Sequence, residues 1–106
     1  MIPLIEKNRR AIEELCRKYH ASRLEIFGSV VTDNFIPESS DIDFLVKFQP
    51  DSDLGPWMAH YFDFRDELGD LLGFQVNLVM ESSLTNLYFI KDVNRTRKLL
   101  YEAKIS

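Results

Sequence analysis

The sequence is poor in the residues that build covalent and metal scaffolds. It has a single cysteine, Cys16, which excludes an internal disulfide framework and a cysteine-rich zinc site. The only histidines, His20 and His60, are too few for a His-based zinc centre. No apolar run approaches the roughly 20 residues that span a bilayer, so no membrane partner is expected. The first residues, Met1-Ile2-Pro3-Leu4-Ile5-Glu6-Lys7, lack a signal-peptide core, and a reducing cytoplasm is the expected compartment. An excess of positive charge is also missing: the net charge is −4, which disfavours a purely electrostatic nucleic-acid binder, and no direct nucleic-acid contact is expected.

What is present suits a small packed domain. The 106 residues fit one domain over 1–106, and 45% hydrophobic and 12% aromatic content can fill a core. Charge is unevenly spread. Residues 1–24 carry a net +3, residues 25–90 a net −10, and residues 91–106 a net +3. Most of these charges read as solvated faces. The sharper reading is an acidic metal site beside basic segments that meet an anionic ligand or an acidic partner.

Periodicity predicts the elements. Ile5, Ile12, Leu15, Cys16 and Tyr19 mark an amphipathic helix over 3–20. Pro3 suits its first turn, and Cys16 lies on its apolar stripe as a core residue. Strands are expected over 23–27, 41–48 and 74–80, with a short helical turn and a loop across 30–40. Leu54, Trp57, Tyr61, Phe64, Leu68 and Leu71 predict a helix over 54–72, capped by Asp53 and ended by Gly73. Trp57, Tyr61 and Phe64 read as core, and His60 as a helix-surface residue. A last helix is expected over 86–103 with Leu87, Ile90, Val93 and Leu100 inward. Three strands against three main helices give an α/β fold with a small mixed sheet.

One constellation carries chemistry. Phe27-Gly28-Ser29 is followed, after eleven residues, by Asp41-Ile42-Asp43. A glycine after a strand lets backbone approach an anion, a following helix start offers free N–H groups, and Ser29 adds a hydroxyl. Asp41 and Asp43, two apart on a strand, point to one face. Paired carboxylates repel, and a hard cation between them removes that cost. Mg²⁺ prefers one or two carboxylates together with substrate phosphates. A phosphate cradle facing a carboxylate pair therefore points to metal-assisted phosphoryl or nucleotidyl transfer.

The stretch Phe27-Gly28-Ser29…Ser39-Ser40-Asp41-Ile42-Asp43-Phe44-Leu45-Val46 resembles the minimal nucleotidyltransferases of the DNA polymerase beta superfamily. The likeness extends through the preceding helix, the Leu71-Leu72-Gly73 turn and the closing Leu100-Tyr101-Glu102-Ala103. It implies a nucleotide triphosphate, ATP, held by Gly28 and Ser29, and Mg²⁺ held by Asp41 and Asp43. In the superfamily a third carboxylate on the next strand completes the site, where small members commonly read Val-Asp-Leu. Here the strand reads Val76-Asn77-Leu78. An amide cannot act as a base and is a poorer Mg²⁺ ligand, so Asn77 is expected to orient the acceptor at most. Glu81 shares the strand parity of Asn77 but lies about 13 Å along the strand, too far to replace it. The spacer before Asp41 is a residue longer than the common form, and Thr32 and Asp33 stand where many members have Arg-Gly.

Many small members of the family are antitoxins that pair with a helical ribonuclease toxin of the HEPN type, and some transfer AMP to a toxin tyrosine. The resemblance thus implies AMP transfer from ATP to a hydroxyl of such a partner. The alternative is an antitoxin that neutralises its partner by binding alone, which Asn77 favours. A third reading, a small-molecule nucleotidyltransferase, is set lower because those relatives carry an additional domain. A homo-oligomer stays open. The basic residues Lys91, Arg95, Arg97 and Lys98 read first as a solvated face, and second as a toxin or triphosphate contact.

Overall fold

The computed structural model describes residues 2–32, 34–50 and 53–103, without the side chains of Ile2 and Trp57. The inward placement expected of Trp57 and the departure noted at Asp33 lie outside the described residues. The expected amphipathic helix is present in two pieces, α1 (Ile2–Lys7) and α2 (Arg9–Lys18). The break has a local cause. Asn8 Nδ2 donates to the Leu4 carbonyl oxygen at 2.9 Å, so the side chain competes with the helix ladder. Cys16 is fully buried as expected, and burial pushes its thiol up to about 12.

His20 takes a left-handed turn (φ 60°) into β1 (Ala21–Phe27), which starts two residues earlier than expected. β2 (Ile42–Phe48) and β3 (Val76–Met80) follow the expected strands closely. Between them α3 (Ala59–Leu72) starts later than the sequence suggests. Gly55 is extended at φ 80°, Pro56 opens a single 3-10 turn through Met58, and Met58 itself is left-handed. A residue before proline is steered out of the helical region, so the helix cannot begin at 54. Asp53 consequently does not cap α3. Its Oδ1 accepts from the Gly55 N–H at 2.9 Å and closes a local turn. Gly73 does end the helix in the left-handed conformation (φ 74°). His60 sits exposed at the helix start, as expected.

The largest correction concerns the last segment. α4 (Leu87–Thr96) begins where expected, with Asn86 Oδ1 accepting from the N–H groups of Tyr88 and Phe89. It stops at Arg97, and β4 (Lys98–Glu102) takes the place of the expected last turns. Leu100 is buried, but from a strand. Leu87, expected inward, is 79% exposed. The sheet therefore has four strands rather than three, in the order β3-β2-β1-β4. β1 pairs antiparallel with β2 and with β4, and β2 pairs parallel with β3. Without β4, β1 would present an open edge of unpaired N–H and C=O groups.

The register sorts the sheet into two faces. Leu24, Val46 and Met80 share a rung, as do Ile26, Phe44 and Leu78. This face packs on Ile5, Ile12 and Cys16 and on Phe64, Leu68 and Leu72 of α3 to form the main core. Each large side chain buried there contributes about 1.5–3 kcal/mol. The opposite face carries Phe27, Asp43 and Asn77 on one rung and Glu25, Leu45 and Val79 on the next. α4 covers it only in part, where Val93 packs on Phe27 and Leu45. Polar side chains can thus stand on this face beside an apolar patch.

Candidate active site

Phe27 leaves β1 in extended conformation, and the chain turns at Gly28 with φ 80°. A left-handed φ favours glycine, and a second constraint acts at the same atom. A Cβ added to Gly28 would lie 2.5 Å from Asp43 Oδ2. The sequence reading had this glycine opening backbone to an anionic ligand. In the structure the anion that approaches it is the protein's own Asp43 carboxylate.

The following helical element is one 3-10 turn, Gly28–Val31, so it offers only a short dipole. The Gly28 N–H is not free either. It donates to Thr96 Oγ1 at 2.8 Å, and the Thr96 hydroxyl reaches the Asp92 carbonyl oxygen at 3.4 Å. Thr32 closes the turn, donating from both its N–H and its hydroxyl to the Ser29 carbonyl oxygen at 3.0 Å. The Ser29 hydroxyl and N–H have no partner among the described residues and remain available to a ligand. Of the two residues expected to form the cradle, Gly28 has its N–H on Thr96 and shapes the turn, and Ser29 stands beside it at the cavity.

The loop before β2 is tied by Ser40, whose Oγ accepts from the Ile36 N–H at 3.0 Å. The chain then enters β2 through Ile42, whose N–H donates to the Gln75 carbonyl oxygen at 3.0 Å. Asp41 and Asp43 are brought together with Asn77 as the sequence suggests. Asn77 Nδ2 donates to Asp43 Oδ1 at 3.0 Å and to Asp41 Oδ2 at 3.3 Å. One amide thus bridges two carboxylates. Burial raises the proton affinity of Asp43 above the ordinary aspartate range. The Asn77 hydrogen bond opposes the shift and the nearby Asp41 charge adds to it. Among the described residues no group of three or more His, Cys, Asp or Glu could hold a metal ion. The donor set is a carboxylate pair, which suits a hard cation completed by water and phosphate rather than a closed protein cage.

Two cavities meet at Asp43. The smaller, about 290 Å³, opens between the Gly28–Ser29 turn and α4, where Thr32, Arg95 and Thr96 line it. The larger, about 420 Å³, runs along the β3 edge between Asn77, Tyr61, Arg65 and Phe89. Phe27, Asp43 and Phe89 line both. The Asp43 carboxylate thus stands between two compartments, with Asp41 linked to it through Asn77.

Sequence reasoning missed several of these residues. Tyr61, read as core, is half-buried and donates to the Leu78 carbonyl oxygen at the cavity wall. Arg65 carried a usable signal, since it and Lys47 are the only basic residues in the acidic stretch 25–90. Phe89 and Thr96 carried none. Glu25, on the site face, is buried and grips Arg97 through a two-bond fork of 2.7 and 2.6 Å. Glu81 adds a third contact to Arg97 at 3.3 Å. The Arg97 hydrogen bonds hold the Glu25 carboxyl below the ordinary glutamate range. This fork fastens the α4–β4 corner to β1, one residue from the Thr96 that holds Gly28.

The four-stranded mixed sheet thus carries a glycine-serine turn after β1 and a carboxylate pair at the start of β2. The family model for the nucleotidyltransferase domain matches residues 8–103, and the chain belongs to that family. A curated relative in Methanocaldococcus jannaschii, provisionally named a protein adenylyltransferase, is 34% identical over 90 residues, covering 85% of this chain and 84% of the relative. A solved structure provisionally described as a minimal nucleotidyltransferase superposes with a TM-score of 0.69 at 30% identity, covering 89% and 90% of the two chains. The antitoxin complex of an MNT with a tri-AMPylated HEPN toxin from Shewanella oneidensis shares the fold, with a TM-score of 0.63 at 21% identity over 92% of this chain and 72% of that one.

Proposed function

We propose that this chain transfers AMP from ATP to a hydroxyl of a protein partner, and that the partner is a helical toxin of the HEPN type which the transfer silences. The observation that carries the reading is the Asp41–Asp43 pair bridged by Asn77, with Asp43 at the junction of two cavities. The name of the archaeal relative and the modified toxin in the Shewanella complex support the acceptor class.

The geometry supports the following roles. Ser29 donates from its hydroxyl to the phosphates. Asp41 and Asp43 are the residues that would hold Mg²⁺, which when bound offsets phosphate charge and polarises the α-phosphate. The acceptor oxygen forms a bond to the α-phosphorus, the bond to the β-phosphate oxygen breaks, and pyrophosphate leaves from the Ser29 side. The acceptor enters through the Tyr61–Arg65–Asn77 cavity. Asn77 takes no proton, so it positions rather than activates. The acceptor's proton leaves to a carboxylate of the pair or to water as the new bond forms.

Purified chain, purified partner, Mg²⁺ and ATP labelled at the α-phosphate test the proposal. Label should move to the partner, and Asp43→Ala should abolish the transfer. No transfer by the wild-type chain would refute it. A second reading rests on Asn77, whose amide stands where catalysis wants an acid: the chain neutralises its partner by contact alone. Under that reading Asp41→Ala and Asp43→Ala keep full neutralisation.

A further inference from the structure

The Gly28–Ser29 cavity has an unbalanced charge. Among the described residues, two carboxylates, Asp43 and Asp92, line it, and Arg95 is the single cation. A triphosphate brought there is repelled by both acids, and one divalent ion cancels only part of its charge. Among the described residues, the other cations of the closing segment are not on hand. Arg97 is spent on Glu25, Glu81 and Asn94. Lys91 and Lys98 do not line the cavity. Arg65 faces the other compartment, where it pairs with Asp66 and lies over the Phe62 ring.

Arg95 is placed to act, from a weak pair that it can exchange. It sits in the last turn of α4, next to Thr96, whose Oγ1 holds the Gly28 N–H at 2.8 Å. The backbone that carries its side chain is therefore tied to the turn that carries Ser29. Its present partner is Asp92 at 3.6 Å, with both side chains well exposed (75% and 69%). Such a water-screened pair is weak and readily exchanged for a stronger anion. A guanidinium presents a planar fork of donors that matches phosphate oxygens two at a time.

We propose that Arg95 is the phosphate-gripping cation of this site, closing on the β- and γ-phosphates from the α4 wall while Ser29 donates from the opposite turn. The inference rests on the nucleotide reading above and adds a specificity to it: the chain selects triphosphates over monophosphates through α4.

The test is equilibrium binding of fluorescent ATP and fluorescent AMP, with Mg²⁺, to the wild-type chain and to Arg95→Gln, Arg95→Lys and Lys91→Gln. Arg95→Gln should weaken ATP binding by about 10- to 100-fold, the loss expected for a charged hydrogen-bond partner, and leave AMP within about 2-fold. Arg95→Lys should recover part of the loss, and Lys91→Gln should match the wild type. Thermal melts should be unchanged, since Arg95 is exposed. Equal ATP binding by Arg95→Gln and wild type would overturn the assignment alone. So would an equal loss for ATP and AMP, or an equal loss in Lys91→Gln. A wild-type chain that binds neither nucleotide would overturn the nucleotide reading and this inference with it.

Discussion

Replacing Gly28 by alanine tests whether the turn and the carboxylate are built against each other. Two costs follow from the structure. The φ of 80° is left-handed, which costs an alanine about 1–2 kcal/mol. The new Cβ would also stand 2.5 Å from Asp43 Oδ2, closer than atoms tolerate, so the carboxylate must swing away. That movement breaks the 3.0 Å bond from Asn77 and costs about 1 kcal/mol more. Gly28→Ala should therefore destabilise the chain by about 2–3 kcal/mol in urea unfolding with chelator present, with the midpoint falling and the slope unchanged. The same substitution in an Asp43→Ala background keeps the backbone cost and loses the collision, so it should cost only about 1–2 kcal/mol. The difference, about 1 kcal/mol, is the contact between turn and carboxylate. Equal costs in both backgrounds would refute the close approach. No cost in either would refute the left-handed turn as well.

Four further outcomes follow from the site and its supports. Arg97→Met leaves Glu25 buried without its fork and should cost roughly 3 kcal/mol in urea unfolding. Because Arg97 lowers the Glu25 carboxyl in the folded state, this pair's contribution is full above the unfolded value near pH 4.5 and is lost as pH falls through the lower folded value; Glu25→Gln should flatten that acid limb of the stability profile. Asn77→Asp removes the bridging amide and crowds a third carboxylate into the site, so it should melt lower than wild type in chelator by about 1–3 kcal/mol and gain more on Mg²⁺ addition. An equal Mg²⁺-induced shift in both proteins would sink the assignment of the carboxylate pair to the cation. Cys16, buried with its thiol pushed up to about 12, should resist a thiol reagent at pH 8 and react fully in denaturant.

The parts legible in the sequence were those with a local cause. Ile42, Phe44, Leu45 and Val46 could only be a strand covered on both faces, and Asp41 and Asp43 at its start then had to share a side. Gly73 announced its own left-handed cap. What stayed hidden depended on partners far along the chain. The 86–103 stretch has apolar residues at helical spacing, yet Leu99, Leu100 and Tyr101 serve a strand equally well. The free edge of β1 and the Glu25–Arg97 fork, 72 positions apart, decide for the strand. Asn8 and Pro56 each shortened an expected helix by ordinary side-chain chemistry that periodicity does not see. The meaning of Gly28 changed most: the motif was visible, but its close neighbour turned out to be Asp43, and its N–H was claimed by Thr96.

The fastening of β1 by the α4–β4 corner sets an order of events during synthesis. A ribosome releases the Gly28–Ser29 turn early, with the carboxylate strand soon after. The hydroxyl that holds Gly28, the guanidinium that neutralises Glu25 and the strand that completes the sheet all arrive from residues 96–102. Until they emerge, Glu25 has only Arg23 of its own strand at 3.7 Å, and the turn lacks its clasp. The clasped turn and the four-stranded sheet are thereby completed together, by the last stretch of the domain to be made.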